Sequence, residues 1–350
     1  MSSSATTAGT GAGITEVHPD IIQTHILTRL DGPTLASASC ASSRLHDLCI
    51  EENLWKRICN DNWPATADPS VQQIISTFPA GHRSFYSDSF PALPDPKRHP
   101  GQRRRPESSG EMIGKIETRE LVSAVDIHYG DQLLYSKVVT TEASSGWFMC
   151  SPFRIDLLDP KEIVPTSVKL DVEGEEEKTM KSVEENMRLS WILIDPVKKR
   201  AVNMSSIRPV EVRRHWLTGE IQVRYSTVMA CAANTAGSSA GGFVNCKIMV
   251  TCGAGKESGD LQVKEVSMQV EDMEGKIISG KDSLVILQEG MDGKRRKVEV
   301  GEEKRMYELF LESRREWRER KQSRERRLDM VCIATGVSIF MAFWIFVLFR

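Results

Sequence analysis

Three patterns of apolar and polar residues follow one another along the chain, and each predicts a different kind of structure. Over residues 15–62 the apolar residues recur every three or four positions, which is typical of short amphipathic helices. Over residues 116–300 short runs rich in Val, Ile, Tyr and Thr alternate with turn residues, which is typical of strands. Over residues 330–349 the chain is apolar without interruption. We therefore expect an α+β chain of several domains that ends in a transmembrane helix.

The first segment, residues 15–62, predicts a small helical module that Pro19 opens. A unit of about 45 residues is near the lower limit for an independent core. Its apolar residues exceed what short helices can bury, so we expect a partner to cover some of them. Residues four apart predict one apolar face of the first helix, made of Ile22, Ile26 and Leu30 and widened by Ile21 and Leu27.

The middle segment, residues 116–300, predicts about eight or nine strands bounded mostly by Gly, Asp, Pro or Asn. Short strands at close intervals favour a mostly antiparallel sandwich or barrel. The acidic run at residues 173–185 interrupts the strands and predicts a solvated loop. The runs interpreted as strands are ELVSAVDIHYG, QLLYSKVVTT, WFMCSPFRIDLL, SVKLDV, LSWILIDP, EIQVRYSTVMA, FVNCKIMVTCG, VKEVSMQVED and DSLVILQEG.

The last segment predicts a membrane span that begins at Met330 and ends at Phe349. Its twenty residues carry no charge, and eleven of them are Val, Ile, Leu or Phe. Twenty helical residues are about 30 Å long, which is the thickness of the hydrocarbon core of a bilayer. Residues 301–329 predict a charged helix that continues into the span, and residues 314–327 within it hold eight Lys or Arg against three Asp or Glu. Such a basic flank is typical of the cytoplasmic side.

These features predict a single-pass membrane protein whose N-terminus stays in the cytosol. The first residues show no basic n-region and no apolar h-region, so we expect no signal peptide. Only Arg350 follows the span, which predicts insertion after synthesis as a tail anchor. Among cytosol-facing membranes we expect the endoplasmic reticulum. Residues 1–14 predict a disordered start, and residues 63–115 predict a connector with a Pro- and Arg-rich linker.

Composition and motifs give no support to catalysis or to nucleic-acid binding. The 350-residue chain has a net charge of −2, so it lacks an overall basic footprint for nucleic acid. Its eight cysteines form no CxxC pair, and neither HExxH nor GxSxG occurs. We therefore predict no catalytic residue, no metal site and no cofactor. Trp216 is expected to pack inside the sandwich, and an exposed recognition patch around His215 and Trp216 is the alternative.

The N-terminal module resembles an F-box. That family's pattern opens with an apolar residue and a proline near paired aliphatic residues, continues with an Ile-Leu and an Arg-Leu pair, and closes with Leu-Trp. The segment LDGPTLASASCASSRL is especially similar to plant F-box proteins, and the later segment beginning SWILIDP is similar to a small plant group, some of whose members end in a membrane span. The matching residues are Val17, Pro19, Ile21, Ile22, Ile26, Leu27, Arg29, Leu30, Leu54 and Trp55.

The resemblance implies a non-catalytic substrate receptor of a Skp–cullin–F-box ubiquitin ligase, with residues 116–300 recognising the substrate. The implied partners are a Skp-type adaptor, a cullin reached through that adaptor, an unknown substrate protein and membrane lipid, with no nucleic acid. A tail-anchored scaffold without a ligase role and a lectin-like receptor are the alternatives. The residues carried over as adaptor-binding are Pro19, Ile21, Ile22, Ile26, Leu27, Leu30 and Leu35.

Overall fold

The computed structural model describes residues 17–91, 118–169, 176–231, 242–254, 260–293, 295 and 301–350. The expected disordered start at residues 1–14 and nearly all of the expected Pro- and Arg-rich linker lie outside these described residues. The described residues form helices at both ends of the chain and two β-sheets between them, which confirms the α+β class.

Short helices with side-chain caps make up the first part of the chain. Asp31 and Ser42 accept hydrogen bonds from the backbone N–H groups of Thr34 and Leu45, three residues further on, and so begin two of the helices. The elements are α1 (Pro19–Ile21), a π-helix (Ile22–Ile26), a 3-10 helix (Leu27–Arg29), α2 (Gly32–Ala38), α3 (Ser43–Cys49), α4 (Glu52–Asn62), a second 3-10 helix (Pro64–Ala67), α5 (Pro69–Ile75) and α6 (Gly81–Asp88).

The ten strands found among the described residues form a sandwich rather than a barrel, and every pair of neighbouring strands is antiparallel. One sheet has four strands in the order β2-β1-β5-β6. The other has the order β3-β10-β9-β8-β7, and β4 also pairs with β10. The strands are β1 (Glu120–Tyr129), β2 (Gln132–Glu142), β3 (Arg154–Asp156), β4 (Val164–Lys169), β5 (Met187–Asp195), β6 (Arg200–Asn203), β7 (Glu211–Arg214), β8 (Ile221–Cys231), β9 (Gly242–Ala254) and β10 (Asp260–Glu271).

The four-stranded sheet is covered on both faces, and most residues of its central strands β1 and β5 are therefore buried. Successive side chains of a strand point to opposite faces. On β1, Leu121 and Val125 belong to the core between the two sheets, whereas Val122 and Ala124 pack with residues of α4, α5 and α6. The helical connector after α4 is therefore fixed to the outer face of this sheet.

The long C-terminal helix α10 (Glu302–Leu348) packs on the outer face of the six-stranded sheet. Tyr307 and Phe310 are buried there in a cluster with Val210, Val228 and Met273. Its 47 residues form one unbroken helix, which is about 70 Å long. The molecule thus has four layers, which are the N-terminal helices, the four-stranded sheet, the six-stranded sheet and α10.

The N-terminal part of α10 runs alongside β8 toward the loop that comes after β10. The Arg224 Nη1 atom donates to the Tyr307 hydroxyl at 2.8 Å, and further along α10 the Arg318 Nη2 atom donates to the carbonyl of Glu274 at 3.1 Å. Lys321 then pairs with the Glu274 carboxylate at 2.8 Å. Beyond this contact, residues 322–350 are exposed. Among the described residues, α10 is the one helix long and apolar enough to cross a membrane.

Three segments differ from the expected strands and loop. The run DSLVILQEG lies in a helix, α9 (Gly280–Asp292), most of whose apolar side chains are buried. The acidic run includes a helix, α8 (Glu176–Asn186), which buries Val183 in the core instead of forming a solvated loop. The run WFMCSPFRIDLL contains a short helix, α7 (Gly146–Cys150), before β3. In each case contacts distant in sequence stabilise a helix at a site where local pattern alone is ambiguous.

Candidate functional site

The candidate site is the surface of the N-terminal helical module, and its first helix changes form along its length. His18 caps α1 by accepting the Asp20 N–H, and Pro19 occupies the first turn. The following π-helix closes with a hydrogen bond from the Leu27 N–H to the Ile22 carbonyl, five residues back. Side chains five apart therefore share a face in this segment.

This π-helical spacing separates four aliphatic residues into two faces. Ile22 and Leu27, five apart, are each 1% exposed and lie in the module's interior. Ile21 and Ile26, also five apart, are 49% and 37% exposed. The prediction of one face containing both Ile22 and Ile26 is wrong, because it assumed the ordinary α-helical period.

The interior of the module is a small apolar core that supports this surface. The Trp55 indole donates to the Cys49 carbonyl at 2.7 Å, so its one polar atom is satisfied in the core. The Arg44 side chain donates to the Val17 carbonyl at 2.8 Å and ties α3 to the start of α1. The core residues are Ile22, Leu27, Leu35, Cys49, Leu54, Trp55 and Ile58.

Helix α6 of the connector packs closely against the N-terminal helical module. Gly32 lies so near the Tyr86 ring of α6 that any side chain at this position would collide with it. Burial raises the pKa of Tyr86 to about 12, so its hydroxyl stays protonated. The buried His82 of α6 bonds through Nδ1 to the Glu52 carboxylate, and its backbone N–H donates to the same group at 3.1 Å. These contacts fix α6 against α4 and the start of α2.

The described residues of the module expose apolar side chains and hold no cluster of metal-ligating groups. Within the described parts of the chain, no group of three or more His, Cys, Asp or Glu side chains could hold a metal ion. Burial raises the pKa of the Cys59 thiol, which therefore remains a neutral core group. The exposed isoleucines are apolar side chains available to another surface.

Comparison with known proteins identifies the family. Residues 19–61 match the family described as F-box-like. The chain is 44% identical to F-box protein At2g27310 of Arabidopsis thaliana, over 97% of this chain and 98% of that relative. The chain is a plant F-box protein. It is also 41% identical to F-box protein At3g44326 and to Probable F-box protein At2g36090 of the same plant, over 95% and 96% of this chain and 89% and 94% of those relatives. No solved structure matches the chain.

The seven residues predicted to bind the adaptor fall into two groups that differ in exposure. Ile22, Leu27 and Leu35 are buried in the core of the F-box. The other four are accessible: Ile21 and Ile26 are exposed, and Pro19 and Leu30 are half-buried. Adaptor binding stays a prediction for all seven residues, and the structure exposes apolar surface only in the second group.

Two exposed apolar residues, Ile50 and Trp216, lie outside the residues predicted to bind the adaptor, and for Trp216 exposure was the alternative expectation. Ile50, which follows α3, is exposed on the F-box itself. Trp216 is 87% exposed at the turn between β7 and β8, so the expectation that it packs inside the sandwich is wrong. The signal for the turn was present in the sequence, because Gly219 follows Trp216 by three residues and adopts the left-handed φ of +71° that glycine favours.

Proposed function

We propose that this F-box protein is a membrane-anchored substrate receptor of a Skp–cullin–F-box ubiquitin ligase. The F-box binds a Skp-type adaptor and through it a cullin, and the β-sandwich holds the protein to be ubiquitinated. The chain contributes binding and position, while the ubiquitin-transferring chemistry belongs to the other subunits.

The observation that carries this proposal is the exposure of Ile21 and Ile26 on a segment that matches the F-box family. Burying one isoleucine side chain contributes about 1.5–3 kcal/mol. An adaptor that covers both would gain a large part of its binding free energy from them. We assign the adaptor contact to Pro19, Ile21, Ile26 and Leu30, and we assign Ile22, Leu27 and Leu35 to the core that positions them.

The packing of the F-box on the sandwich supports a mechanism based on proximity. Ile192 and Ile194 of β5 share a core with α5 and α6, and the Arg200 Nε atom pairs with Asp88 of α6 at 2.7 Å. The F-box is therefore held against the domain that carries the target. Tethering target and ligase in one assembly raises their effective concentration.

The apolar end of α10 supports the membrane location. Residues 330–349 are long enough to cross the hydrocarbon core, and the Lys- and Arg-rich residues 314–327 favour a cytosolic location for the rest of the chain. We place the protein in the endoplasmic reticulum, because a span of about 30 Å crosses its bilayer core of about 27 Å with only a slight tilt. On a membrane, the receptor meets targets that are themselves membrane-bound.

Capture of a purified Skp-type adaptor by the full-length chain in detergent tests the adaptor surface. Ile21→Asp and Ile26→Asp place a charge in the proposed contact without disturbing the core, because both side chains are exposed in the free chain. We expect each variant to weaken capture by roughly thirty-fold, as for an interface hot spot. Ile163→Asp is the matched control, since Ile163 is equally exposed but lies on the β-sandwich side of the chain.

Full capture by both F-box variants would refute the assigned surface. If the wild-type chain itself captured neither adaptor nor cullin, the ligase role would be wrong and a membrane-tethered scaffold would be the better description. Ile22→Asp does not serve this test, because a charge at this buried position would unfold the F-box and abolish capture for an unrelated reason.

A further inference from the structure

The basic residues of α10 that precede the apolar span differ in their partners. Nearest the sandwich, Arg318 donates to the Glu274 carbonyl at 3.1 Å, and Lys321 pairs with the Glu274 carboxylate at 2.8 Å. Closer to the span, Arg324 and Arg327 are exposed and form no hydrogen bond or ion pair with any described residue. The charge of α10 is thus engaged beside the sandwich and unpaired beside the span. We call Arg324 and Arg327 the arginine face.

The arginine face lies apart from the side of α10 that contacts the sandwich. Arg324 and Arg327 are three residues apart, so they are neighbours on the helix surface, and they border one groove with Ser323. Glu325 borders a different groove, on the side that contacts the sandwich. Asp329 follows Glu325 by four positions and shares that side. The two acidic residues nearest the span are therefore directed away from the arginine face.

Two glutamates border the groove of the arginine face further from the span, and neither neutralises it. Glu316 is already paired with Arg320 at 2.9 Å. Glu319 precedes Arg324 by five residues, which is about 7.5 Å along the helix axis. The arginine face therefore presents two positive charges to whatever surrounds this part of the helix.

The position of the arginine face decides what surrounds it. Arg327 and Arg324 precede Met330, where the proposed span begins, by three and six residues, which is about 4.5 Å and 9 Å along the axis. The headgroup layer on each side of the hydrocarbon core is roughly 5–7 Å thick. A long arginine side chain reaches into this layer from either position. The proposed span therefore places both guanidinium groups among lipid headgroups.

A guanidinium group distinguishes lipid headgroups by their charge. Its planar set of N–H donors fits the oxygens of a phosphate or a carboxylate in pairs, and the headgroup of phosphatidylserine carries both. Phosphatidylcholine has a phosphate as well, but its quaternary ammonium group cancels the charge. The cytosolic leaflet contains anionic lipids, and each basic residue near such a surface strengthens binding about five-fold.

We propose that the arginine face is a binding site for anionic phospholipid headgroups of the cytosolic leaflet, in which Arg324 and Arg327 hold the headgroup phosphate and carboxylate. This site deepens the proposed membrane anchoring and rests on it. Lys321, which holds Glu274, precedes Met330 by nine residues, or about 14 Å. Headgroups bound at the arginine face therefore also fix this edge of the sandwich close to the membrane surface.

Lipid retention by the full-length chain tests the site. The chain is reconstituted in vesicles of equal parts phosphatidylcholine and phosphatidylserine and extracted in a mild detergent, and the phospholipids that stay bound are quantified by mass spectrometry. We expect phosphatidylserine to be enriched about five-fold over phosphatidylcholine. Arg324→Gln with Arg327→Gln should bring this ratio to about one. Extraction at about 1 M salt, where the Debye length is about 3 Å, should lower it in the same way.

Arg305→Gln with Arg315→Gln is the matched control, because it removes the same charge from two exposed positions of the same helix. Arg315 and Arg305 precede Met330 by fifteen and twenty-five residues, which is about 22 Å and 38 Å. Both distances exceed the Debye length of about 8 Å, so this variant should keep the enrichment. Glutamine is a good helix former, so both pairs of substitutions leave α10 helical.

Three results would overturn the headgroup site. These are equal retention of the two lipids by the wild-type chain, enrichment that survives Arg324→Gln with Arg327→Gln, and an equal loss of enrichment in the control. Extraction of the wild-type chain from the vesicles by alkaline carbonate would instead refute the membrane anchor on which the site rests.

Discussion

The buried carboxylate of Asp126 links the sandwich to the connector that follows the F-box. It lies on the face of β1 that meets the helices, and its Oδ1 atom accepts the Ala65 N–H at 2.9 Å. Burial is the main cause that raises the pKa of Asp126 to about 6, and the hydrogen bonds to its carboxylate lower the pKa only in part. The folded chain therefore keeps this acid protonated up to about pH 6, whereas the unfolded chain does so only below about pH 4.

This raised pKa predicts that the free energy of unfolding falls as the pH rises from about 4 to about 6. In that window the folded chain binds more protons at Asp126 than the unfolded chain, so ionisation favours unfolding. The full loss is on the order of 3 kcal/mol. Asp126→Asn keeps an acceptor for Ala65 and has no charge, so urea unfolding in detergent should show the difference between wild type and variant growing over this window. If the free energy of unfolding changed equally with pH in the two proteins, the prediction would be wrong.

The exposed residues of the F-box show how far residue patterns could predict the site. The apolar positions 21, 22, 26, 27 and 30 were identified from the sequence, and the family match covers them. Which of these residues are buried and which are exposed could not be predicted. That division depends on a π-helix with five-residue spacing, and the same sequence is equally compatible with an ordinary α-helix. Packing of Ile22 and Leu27 on Leu35 and Trp55 decides between the two forms.

Most of the predicted runs form strands, and one short apolar run instead forms a helix. The residues of β1, β5, β8, β9 and β10 all lie in or next to predicted runs. The run of Leu284 to Leu287 is apolar at each position and fits a buried strand or a buried helix equally well. The deciding signal was the cap, because the Ser279 hydroxyl accepts the Asp282 N–H at 3.2 Å and the Ser-x-x-Asp spacing is readable from the sequence.

The docking of α10 on the sandwich depends on the buried side chain of Phe310, which a substitution can test. Phe310 is 2% exposed and adjoins Leu309, which is 45% exposed. Phe310→Ala should weaken the docking by about 3–5 kcal/mol because it leaves a cavity. Leu309→Ala is the matched control and should cost less than about 1 kcal/mol. Hydrogen exchange of residues 302–318 and trypsin cleavage after Arg314 measure the release of the helix, and equal protection in both variants would contradict the assigned packing.

The four layers of the molecule separate the surfaces that the proposed function requires. The connector helices α5 and α6, together with the end of α4, cover the outer face of the four-stranded sheet, and α10 covers the outer face of the six-stranded sheet. An adaptor bound at Ile21 and Ile26 therefore lies on the side away from α10. The adaptor and the proposed membrane anchor do not compete for one face of the sandwich, so a receptor can remain in the membrane while it is joined to the ligase.

The orientation of the chain in the membrane can be tested with glycosylation tags at its two ends. With the N-terminus in the cytosol of the endoplasmic reticulum, an Asn-Gly-Ser tag on a short spacer after Arg350 reaches the lumen and is glycosylated, whereas the same tag before Met1 is not. Ile339→Lys with Phe343→Lys should abolish this glycosylation, because each lysine opposes insertion by about 3 kcal/mol at the centre of the span. Endoglycosidase-sensitive gel mobility measures both tags. Glycosylation of the N-terminal tag would reverse the orientation, and an unmodified C-terminal tag on a membrane-bound chain would place the anchor in another membrane.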